Sequence, residues 1–553
     1  MRSGGSAAKR SGGWRNCGGD NAGFSGLAGG SFLALVGGMS AWSPAFPALV
    51  TSGEMRALEE AAVAAGRSEE ALMDAASLAL AQTVQEWLPR PGAAVVFAGK
   101  GHNAGDAFGL AGHLVEAGWR VEVRLAWPEG ELRPLAARKL AAIRARVTWA
   151  ALDAEAVPEG RPLLLIDGVL GIGGSGRLQG AAAGAVRALN ALRHRRQALA
   201  LAVDLPSGLG GDEEPVAADL TATLGWPKDF LLADEASAWV GRLVALPLAG
   251  LAAPEGREAR DFLVTAAGLR AWLPPRPAFS RHKGQSGRIG LVAGSVGLTG
   301  AARLAATAAA LMGGGLVTLF CPRDAYAILA ASCPPEVMVR PVGSCGEVRD
   351  FPLDALGLGP GMGASALPGL AELLREDARP LVVDADALNG LAAGPGLGRG
   401  GWGGPRLFTP HPGELGRLMA AAGLGQVAGG RRQQAQALAE ALGVTVLAKS
   451  ARSLVVEAGR PAAWNGSGHP LMARGGMGDV LTGFLTTWAA QGLPLYRAAA
   501  LGSWALGRGA ELFHRASGHE ETGLASEVMA WAAGAAMAEL RGGWAGGGGF
   551  GRG

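Results

Sequence analysis

The feature that most constrains this chain is a regular alternation of short apolar segments with longer segments of helical periodicity. Strands that are linked through helices form a parallel sheet with helices on both faces. With 553 residues the chain is too long for one core, so we predict an α/β protein of two domains. The segments with the length and composition of buried strands in the first series are 93–98, 121–126, 163–166 and 199–203.

Composition divides the chain into five parts. Residues 1–48 are rich in glycine and serine without periodicity, and we predict a disordered extension or sequence upstream of a true start at Met39. Pro254, Pro274, Pro275 and Pro277 mark a connection at 253–280. This connection separates domains at 49–252 and 281–540, and residues 541–553 form a glycine-rich tail.

Charge and cysteine content exclude several classes of function. The net charge is +3 and is spread along the chain, so neither nucleic acid nor an anionic membrane is an expected partner. The four cysteines form no C-x-x-C pair, which argues against a disulfide framework and a zinc site. No segment has the length and unbroken apolarity of a membrane span. We therefore expect a cytoplasmic enzyme that acts on small molecules.

Three polar loops follow strands of the first domain, at 99–106, 167–177 and 204–208. The first sheet should be doubly wound, and ligands of such sheets bind where the strands end. The glycines of 171–176 can wrap a pyrophosphate, and Asn103, Asp167 and Ser207 offer hard oxygen ligands for an alkali or alkaline-earth cation. Asp167 and Asp204 are the available acid–base groups, although aspartate after a strand is often only a helix N-cap.

A second series of predicted strands lies at 289–293, 316–320, 355–358, 381–383 and 444–447, with a long helix at 301–312. Its most informative loop is 475–483 (GGMGDVLTG), because consecutive glycines allow N–H groups to surround an anion. Asp479 at the following helix start is a candidate base beside phosphates.

Four other loops are expected around the same cleft, at 359–363, 384–389, 409–414 and 449–453. His411 is flanked by prolines and so rigidly placed, Asp386 is a predicted N-cap, and Glu414 suits a first helical turn. Lys449 near Ser450 and Ser453 is either a phosphate clasp or a solvated lysine.

The loops of the first domain resemble those of the YjeF-type NAD(P)H-hydrate epimerases, over roughly residues 52–251. The resemblance implies that Asn103, Asp167 and Ser207 bind K⁺ and that Asp167 serves acid–base chemistry. It also implies the dinucleotide contacts, which are His102, Asn103, Ala104, Gly105, Asp106, Gly171, Ile172, Gly173, Gly174, Ser175, Gly176, Arg177 and Asp204. The chain departs from the family at Ala104, Ala107 and Ile172.

The second domain resembles the ribokinase-like superfamily, and within it the ADP-dependent NAD(P)H-hydrate dehydratases, over roughly residues 261–540. The resemblance implies an α/β/α fold and hydrate contacts by Ala301, Gly361, His411 and Asp479. It implies that Mg²⁺ accompanies ADP, and that the nucleotide is held by Lys449, Ser450, Ala451, Arg452, Ser453 and Gly478. The departures here are Ser450 and Met477.

The whole chain resembles the bifunctional NAD(P)H-hydrate repair family. The resemblance implies epimerisation of the (R)- and (S)-hydrates and dehydration of the S epimer, with Asp479 as base and ADP converted to AMP and phosphate. The expected partners are NADHX, NADPHX and ADP, and a homo-oligomer is left open. The alternative is a ribokinase-like kinase of vitamin type with a non-catalytic N-terminal binding module.

Overall fold

The structure is a computed structural model that describes residues 46–174, 178–363, 368–394, 397–398, 401–425, 427–518 and 521–542. Most of the predicted N-terminal extension and of the glycine-rich tail lie outside these ranges. Ser175, Gly176 and Arg177 of the second predicted dinucleotide loop also lie outside them.

The N-terminal domain is built on a parallel sheet of seven strands within the described residues, in the order β3-β2-β1-β4-β5-β6-β7. From β1 the chain adds strands on one side as far as β3, and from β4 it adds them on the other side. The loops after β1 and β4 therefore border one crevice at the carboxyl ends of the strands. The strands are β1 (Ala93–Ala98), β2 (Arg120–Leu125), β3 (Thr148–Trp149), β4 (Leu163–Gly168), β5 (Leu199–Val203), β6 (Leu220–Leu224) and β7 (Arg242–Leu246). The helices are α1 (Ser52–Ala64), α2 (Glu69–Trp87), α3 (His102–Glu116), α4 (Pro134–Ile143), α5 (Gly180–Arg196) and α6 (Ser237–Val240).

The C-terminal domain has a sheet of ten strands within the described residues, in the order β11-β10-β9-β12-β13-β14-β15-β16-β17-β8. The pairings are parallel except that β16 is antiparallel to both β15 and β17. The strands are β8 (Phe262–Val264), β9 (Arg288–Val292), β10 (Leu316–Pro322), β11 (Val337–Val342), β12 (Ala355–Leu358), β13 (Leu381–Val383), β14 (Arg406–Phe408), β15 (Thr445–Ala448), β16 (Leu454–Val456) and β17 (Ala463–Asn465).

Helices cover both faces of this second sheet, which is the expected α/β/α arrangement. They are α7 (Ala266–Arg270), α8 (Thr299–Leu311), α9 (Tyr326–Ser332), α10 (Leu370–Glu376), α11 (Ala385–Ala393), α12 (Pro412–Ala421), α13 (Arg431–Leu442), α14 (Met477–Ala490), α15 (Leu495–Ser517), α16 (Ala525–Trp531) and α17 (Met537–Leu540). None of the helices in the described part of the chain is both long and apolar enough to cross a bilayer. The predicted α/β fold in two domains is confirmed.

The predicted connection contributes structure to the second sheet. β8 lies within it and pairs with β17, and its other edge receives a segment from the start of the described chain. The N–H of Leu49 donates to the Asp261 carbonyl at 2.8 Å, and the N–H of Leu263 donates to the Pro47 carbonyl at 2.9 Å. One residue further on, the N–H of Val50 donates to Pro227 of the N-terminal domain at 3.0 Å. Residues 47–50 therefore bridge the two domains.

Side chains from both domains share one apolar cluster. Leu232, Val240 and Leu243 of the N-terminal domain belong to it together with Leu454 and Trp464 of the C-terminal domain. Such continuity is typical of domains that are docked through a buried surface, because separating them would expose this apolar area to water.

Small residues allow α14 to approach α8 closely. A Cβ atom added at Gly483 would lie 2.3 Å from the carbonyl oxygen of Ala305 and 2.8 Å from the Cβ of Ala308. The backbone at Ala305 cannot yield as a flexible side chain would. Glycine at 483 is therefore needed to hold α14, which begins two residues before Asp479, against α8.

We predict that Gly483→Ala lowers the free energy of unfolding by about 1–3 kcal/mol, because the added methyl overpacks the α8–α14 contact. Urea unfolding followed by circular dichroism measures the change. Gly416→Ala in α12 is the matched control, since a Cβ there has nothing within 4 Å, and it should leave stability unchanged or slightly raised. Equal effects of the two variants would contradict the prediction.

Candidate functional site

Asp167 lies near the end of β4 and is fully buried. Its Oδ1 accepts a hydrogen bond from the Ser207 hydroxyl at 2.6 Å, and its Oδ2 accepts one from the Ser207 N–H at 2.7 Å. Burial raises the pKa of Asp167 to about 6, against the opposing effect of the Ser207 hydrogen bonds. The carboxyl can therefore exchange a proton near neutral pH.

The three predicted cation ligands meet around Leu170. The Asn103 amide donates to the Leu170 carbonyl at 2.9 Å, and the Ser207 hydroxyl accepts from the Leu170 N–H at 2.8 Å. Since Ser207 also binds Asp167, amide, hydroxyl, carboxylate and main-chain oxygens lie together. Within the described ranges no group of three histidine, cysteine or acidic residues could hold a metal. These oxygen atoms are of the kind that hard cations, alkali or alkaline-earth, take as ligands.

The first dinucleotide loop begins its helix earlier than predicted. The sequence predicts a loop at 99–106 and a helix from 107, whereas α3 starts at His102, directly after the extended Gly101. The prediction is wrong here because the small residues let the first turn pack on α2: a Cβ at Gly105 would lie 2.5 Å from the Met73 sulfur. As a result, the unpaired N–H groups of the α3 start lie at the end of β1, a favourable place for a phosphate.

The second dinucleotide loop is described from Gly171 to Gly174. A turn closes it, with the Gly174 N–H donating to the Gly171 carbonyl at 2.9 Å. The Arg56 guanidinium of α1 donates to the Ile172 carbonyl, so α1 covers this loop. A Cβ at Gly171 would lie 3.3 Å from Asn103, which places this glycine against the candidate cation ligands.

Asp204 is held by a lysine that sequence analysis did not identify. Its Oδ1 lies 2.6 Å from the Lys228 Nζ and also accepts from the Leu224 N–H at 3.0 Å. Asp204 has a φ of 68°, an uncommon conformation for a residue with a side chain, and only 1% of the Lys228 side chain is exposed. In the sequence Lys228 is a single lysine four residues after the end of β6, and a lysine in a loop is usually a solvated residue.

The charges of this ion pair act on two further carboxyl groups. Burial raises the pKa of Asp106 well above its usual value, with Asp204 and Glu59 adding to the effect. Burial likewise raises the pKa of Glu59 to about 7, partly offset by Lys228. The carboxyl groups of Asp204, Asp106 and Glu59 thus lie within electrostatic range of Lys228 in the N-terminal domain. Glu59 escaped sequence analysis because α1 has the pattern of an ordinary surface helix.

In the C-terminal domain, Asp479 lies in the first turn of α14, and Gly476 caps the helix with a φ of 95°. Burial raises the pKa of Asp479 to about 6, and the nearby Asp384 carboxylate adds to the effect while Lys449 opposes it. The predicted helix start near Asp479 is confirmed. An aspartate with this pKa is a suitable general base near neutral pH.

A buried ion pair lies beside Asp479. The Lys449 Nζ is 2.5 Å from Asp384 Oδ1, and the Thr482 hydroxyl donates to Asp384 Oδ2 at 2.9 Å. A Cβ at Gly478 would lie 3.4 Å from Asp384 and 3.5 Å from Lys449, so this glycine keeps α14 close to the pair. The Lys449 side chain is directed at Asp384 rather than at solvent, and its role as a phosphate clasp stays a prediction.

The loops after β13 and β14 differ in part from expectation. Asp386 is not an N-cap: α11 begins at Ala385, and Asp386 instead accepts from the Gly363 N–H at 2.8 Å. Glu414 does lie in the first turn of α12, where it forms a capping box with His411. His411 Nδ1 accepts from the Gly413 N–H at 3.0 Å, which fixes the ring, and the other ring nitrogen, Nε2, lies 3.4 Å from Glu414 Oε1.

The predicted hydrate contacts Ala301 and Gly361 are neighbours. A Cβ at Gly361, where φ is 61°, would lie 2.5 Å from the Leu298 carbonyl oxygen and 3.0 Å from the Ala301 Cβ. The Ser295 hydroxyl holds this turn by donating to the Gly361 carbonyl at 2.9 Å. The loop after β12 and the start of α8 thus form one wall of the cleft.

The predicted nucleotide loop, residues 449–453, carries one side chain that points away from the cleft. The Ser450 N–H donates to the Ser453 hydroxyl at 3.3 Å, and the Ser450 hydroxyl accepts from the Arg452 N–H at 3.1 Å. The Arg452 side chain is buried and donates to the carbonyl of Gly241 in the N-terminal domain. The two hydroxyls and main-chain groups of the loop can serve a nucleotide, whereas this guanidinium is committed to the domain interface.

Comparison with known proteins agrees with both halves of this description. The model of a family described as NAD(P)H-hydrate dehydratase matches residues 289–529, and that of the YjeF-related protein N-terminus matches residues 69–230. A solved ADP/ATP-dependent NAD(P)H-hydrate dehydratase from Bacillus subtilis, co-crystallised with ATP and Mg²⁺, is 26% identical and covers 50% of this chain and 97% of its own, with a TM-score of 0.43.

Two relatives match most of the chain. The bifunctional NAD(P)H-hydrate repair enzyme Nnr of Moorella thermoacetica is 34% identical over 498 residues, which cover 82% of this chain and 90% of that protein. The enzyme of the same name in Coxiella burnetii is 33% identical over 473 residues, covering 82% and 92%. The resemblance found in the sequence is confirmed, and the chain belongs to the family of bifunctional NAD(P)H-hydrate repair enzymes.

Proposed function

We propose that this chain repairs hydrated NADH and NADPH in two steps. The N-terminal domain interconverts the (R)- and (S)-hydrates, and the C-terminal domain dehydrates the S epimer while ADP is converted to AMP and phosphate. The observation that carries the proposal is the position of Asp479, with its raised pKa, at the start of α14 and beside the Lys449–Asp384 pair.

Dehydration needs a better leaving group than hydroxide. Asp479 takes the proton of the hydrate hydroxyl while a bond forms between that oxygen and the β-phosphorus of ADP, and the bond from this phosphorus to AMP breaks. Phosphate then leaves with the electron pair of the C–O bond, and loss of a proton from the adjacent ring carbon restores the double bond. The products are NADH or NADPH, AMP and phosphate.

The nucleotide is held at the α14 start and by the 449–453 loop. Gly478 permits close approach of its N–H to a phosphate, and the hydroxyls of Ser450 and Ser453 lie on the loop itself. Mg²⁺ bound with ADP would neutralise phosphate charge.

In the N-terminal domain, the hydrate dinucleotide would place its phosphates at the α3 start and the 171–174 turn. K⁺ would be held by Asn103, Asp167 and Ser207, where it would fix the loops after β1, β4 and β5 around the substrate. The support for this assignment is the convergence of these three side chains on Leu170. Asp167 would then supply the acid–base group for epimerisation.

We predict that Asp479→Asn lowers the rate of ADP-dependent dehydration at least about 100-fold, because the amide keeps the shape of the side chain but cannot accept the proton. The return of dihydronicotinamide absorbance from the pure S epimer measures the rate. Asp350→Asn, which changes an exposed aspartate of the same domain, should retain the parental rate. Turnover of Asp479→Asn at the parental rate with saturating ADP would rule out Asp479 as the base.

The pH dependence follows from the same carboxyl. A base with a pKa of about 6 is ionised and active above that value and becomes protonated below it. We therefore predict that kcat/KM for the S epimer levels off above pH 7 and falls about fivefold between pH 6 and pH 5. Rates measured from pH 5 to 8 at saturating ADP test this, and a flat profile would contradict it.

We predict that Asp167→Ala stalls after consuming the S epimer, whereas the parental protein converts an epimer mixture completely. The removed carboxyl is the proposed acid–base group and a proposed K⁺ ligand, so replacing K⁺ by Na⁺ should slow the parental enzyme in the same phase. Spontaneous epimerisation makes the early time course decisive. Asp212→Asn, at an exposed site of the same domain, is the control. Identical single-phase progress curves for Asp167→Ala and the parental protein would show that Asp167 does not serve epimerisation.

A further inference from the structure

One arginine, Arg431, forms hydrogen bonds at both ends of the predicted nucleotide loop, residues 449–453. Arg431 at the start of α13 donates from Nη1 to the Ala448 carbonyl at 2.8 Å, just before the loop, and from Nη2 to the Arg452 carbonyl at 2.5 Å, near its end. Arg431 is 7% exposed. The planar guanidinium therefore sets the distance between the two ends of the 449–453 loop.

The partner of this arginine belongs to the other domain. Both carboxylate oxygens of Asp234, in a short helical turn before α6, accept from Arg431 at 2.7–3.1 Å. The Arg431 guanidinium is thus oriented by the Asp234 carboxylate and by the carbonyls of Ala448 and Arg452. A bidentate bond of this kind orients the guanidinium more strongly than a single contact would.

A second contact draws the same loop towards the N-terminal domain. The Arg452 guanidinium donates to the carbonyl of Gly241 and, at 3.3 Å, to that of Gly466. Asp234 and Gly241 flank α6, so both contacts come from one short stretch of the N-terminal domain. The N-terminal domain thus supplies a carboxylate and a carbonyl that fix the conformation of a loop in the C-terminal site.

We propose that Asp234 is a positioning residue for nucleotide binding in the C-terminal domain, acting through Arg431 on the 449–453 loop. The proposal rests on the proposed function in one respect, namely that this loop binds ADP. It follows that the N-terminal domain has a role in dehydration that is separate from epimerisation. It also follows that disturbing this contact changes the affinity for ADP rather than the chemical step, because the hydrogen bonds of Arg431 go to Asp234 and to the loop carbonyls and not to Asp479.

The test compares full-length variants acting on the pure S epimer, so that epimerisation is not required. Asp234→Asn should raise the KM for ADP about tenfold, the change that loss of one charge-assisted hydrogen bond produces, with kcat within about twofold of the parental value. Asp234→Glu, which restores the carboxylate, should recover most of the affinity. ADP binding measured by calorimetry should show the same order of affinities.

Two control variants separate the effect on the 449–453 loop from general effects of removing a carboxylate or a bridge between the domains. Glu235→Gln changes the neighbouring exposed carboxylate, and Asp261→Asn breaks a separate bridge, in which Arg432 donates to Asp261 at 2.9 Å without touching the loop. Both should keep the parental KM for ADP. The proposal is overturned if Asp234→Asn leaves this KM unchanged, alters kcat alone, or behaves like Asp261→Asn. Failure of the parental protein to bind ADP would instead refute the proposed function.

Discussion

The ion pair between Lys449 and Asp384 is the interaction on which the C-terminal site depends. Lys449 follows β15, Asp384 follows β13, and Thr482 of α14 donates to the same carboxylate. Only 2% of the Asp384 side chain is exposed. Removing its partner would leave an isolated charge in the interior, a change that commonly costs about 3–5 kcal/mol. Two strand ends and the helix that carries the candidate base are therefore held in one arrangement by the hydrogen bonds of one buried carboxylate.

The N-terminal domain also contains a buried lysine–aspartate pair at the end of its sheet. Lys228 and Asp204 form a buried pair at the end of its sheet, as Lys449 and Asp384 do in the other domain. In each case a second aspartate lies near the paired carboxylate, and burial and that charge raise its pKa: Asp106 in the first domain and Asp479 in the second. A fixed lysine–carboxylate pair beside an acid with a raised pKa is a general way to place a proton-exchanging group without leaving the site open to water.

The strands that could be predicted from the sequence are those in which a local pattern of apolar residues determines the structure. The strands predicted at 93–98, 199–203, 355–358 and 381–383 have the observed bounds, because continuous apolar runs between polar loops have few alternatives. Loop residues such as Asp167 and Ser207 were found because parallel strands bring their ends together. Eight of the strands within the described ranges were not predicted, since their pairing depends on distant partners; they are β3, β6, β7, β8, β11, β14, β16 and β17. Lys228, Glu59 and the inward direction of Arg452 were likewise beyond reach, because each depends on contacts between segments far apart in the chain.

Residues 47–50 show that the two domains are interlaced rather than arranged one after the other. This stretch precedes the whole N-terminal domain, yet it extends the far edge of the C-terminal sheet at β8 before it pairs with Pro227. A gene divided at the connection would thus assign one edge of the second sheet to the wrong fragment. To express the C-terminal half alone, residues 47–49 would have to be included in that fragment, for example by joining them to it through a circular permutation.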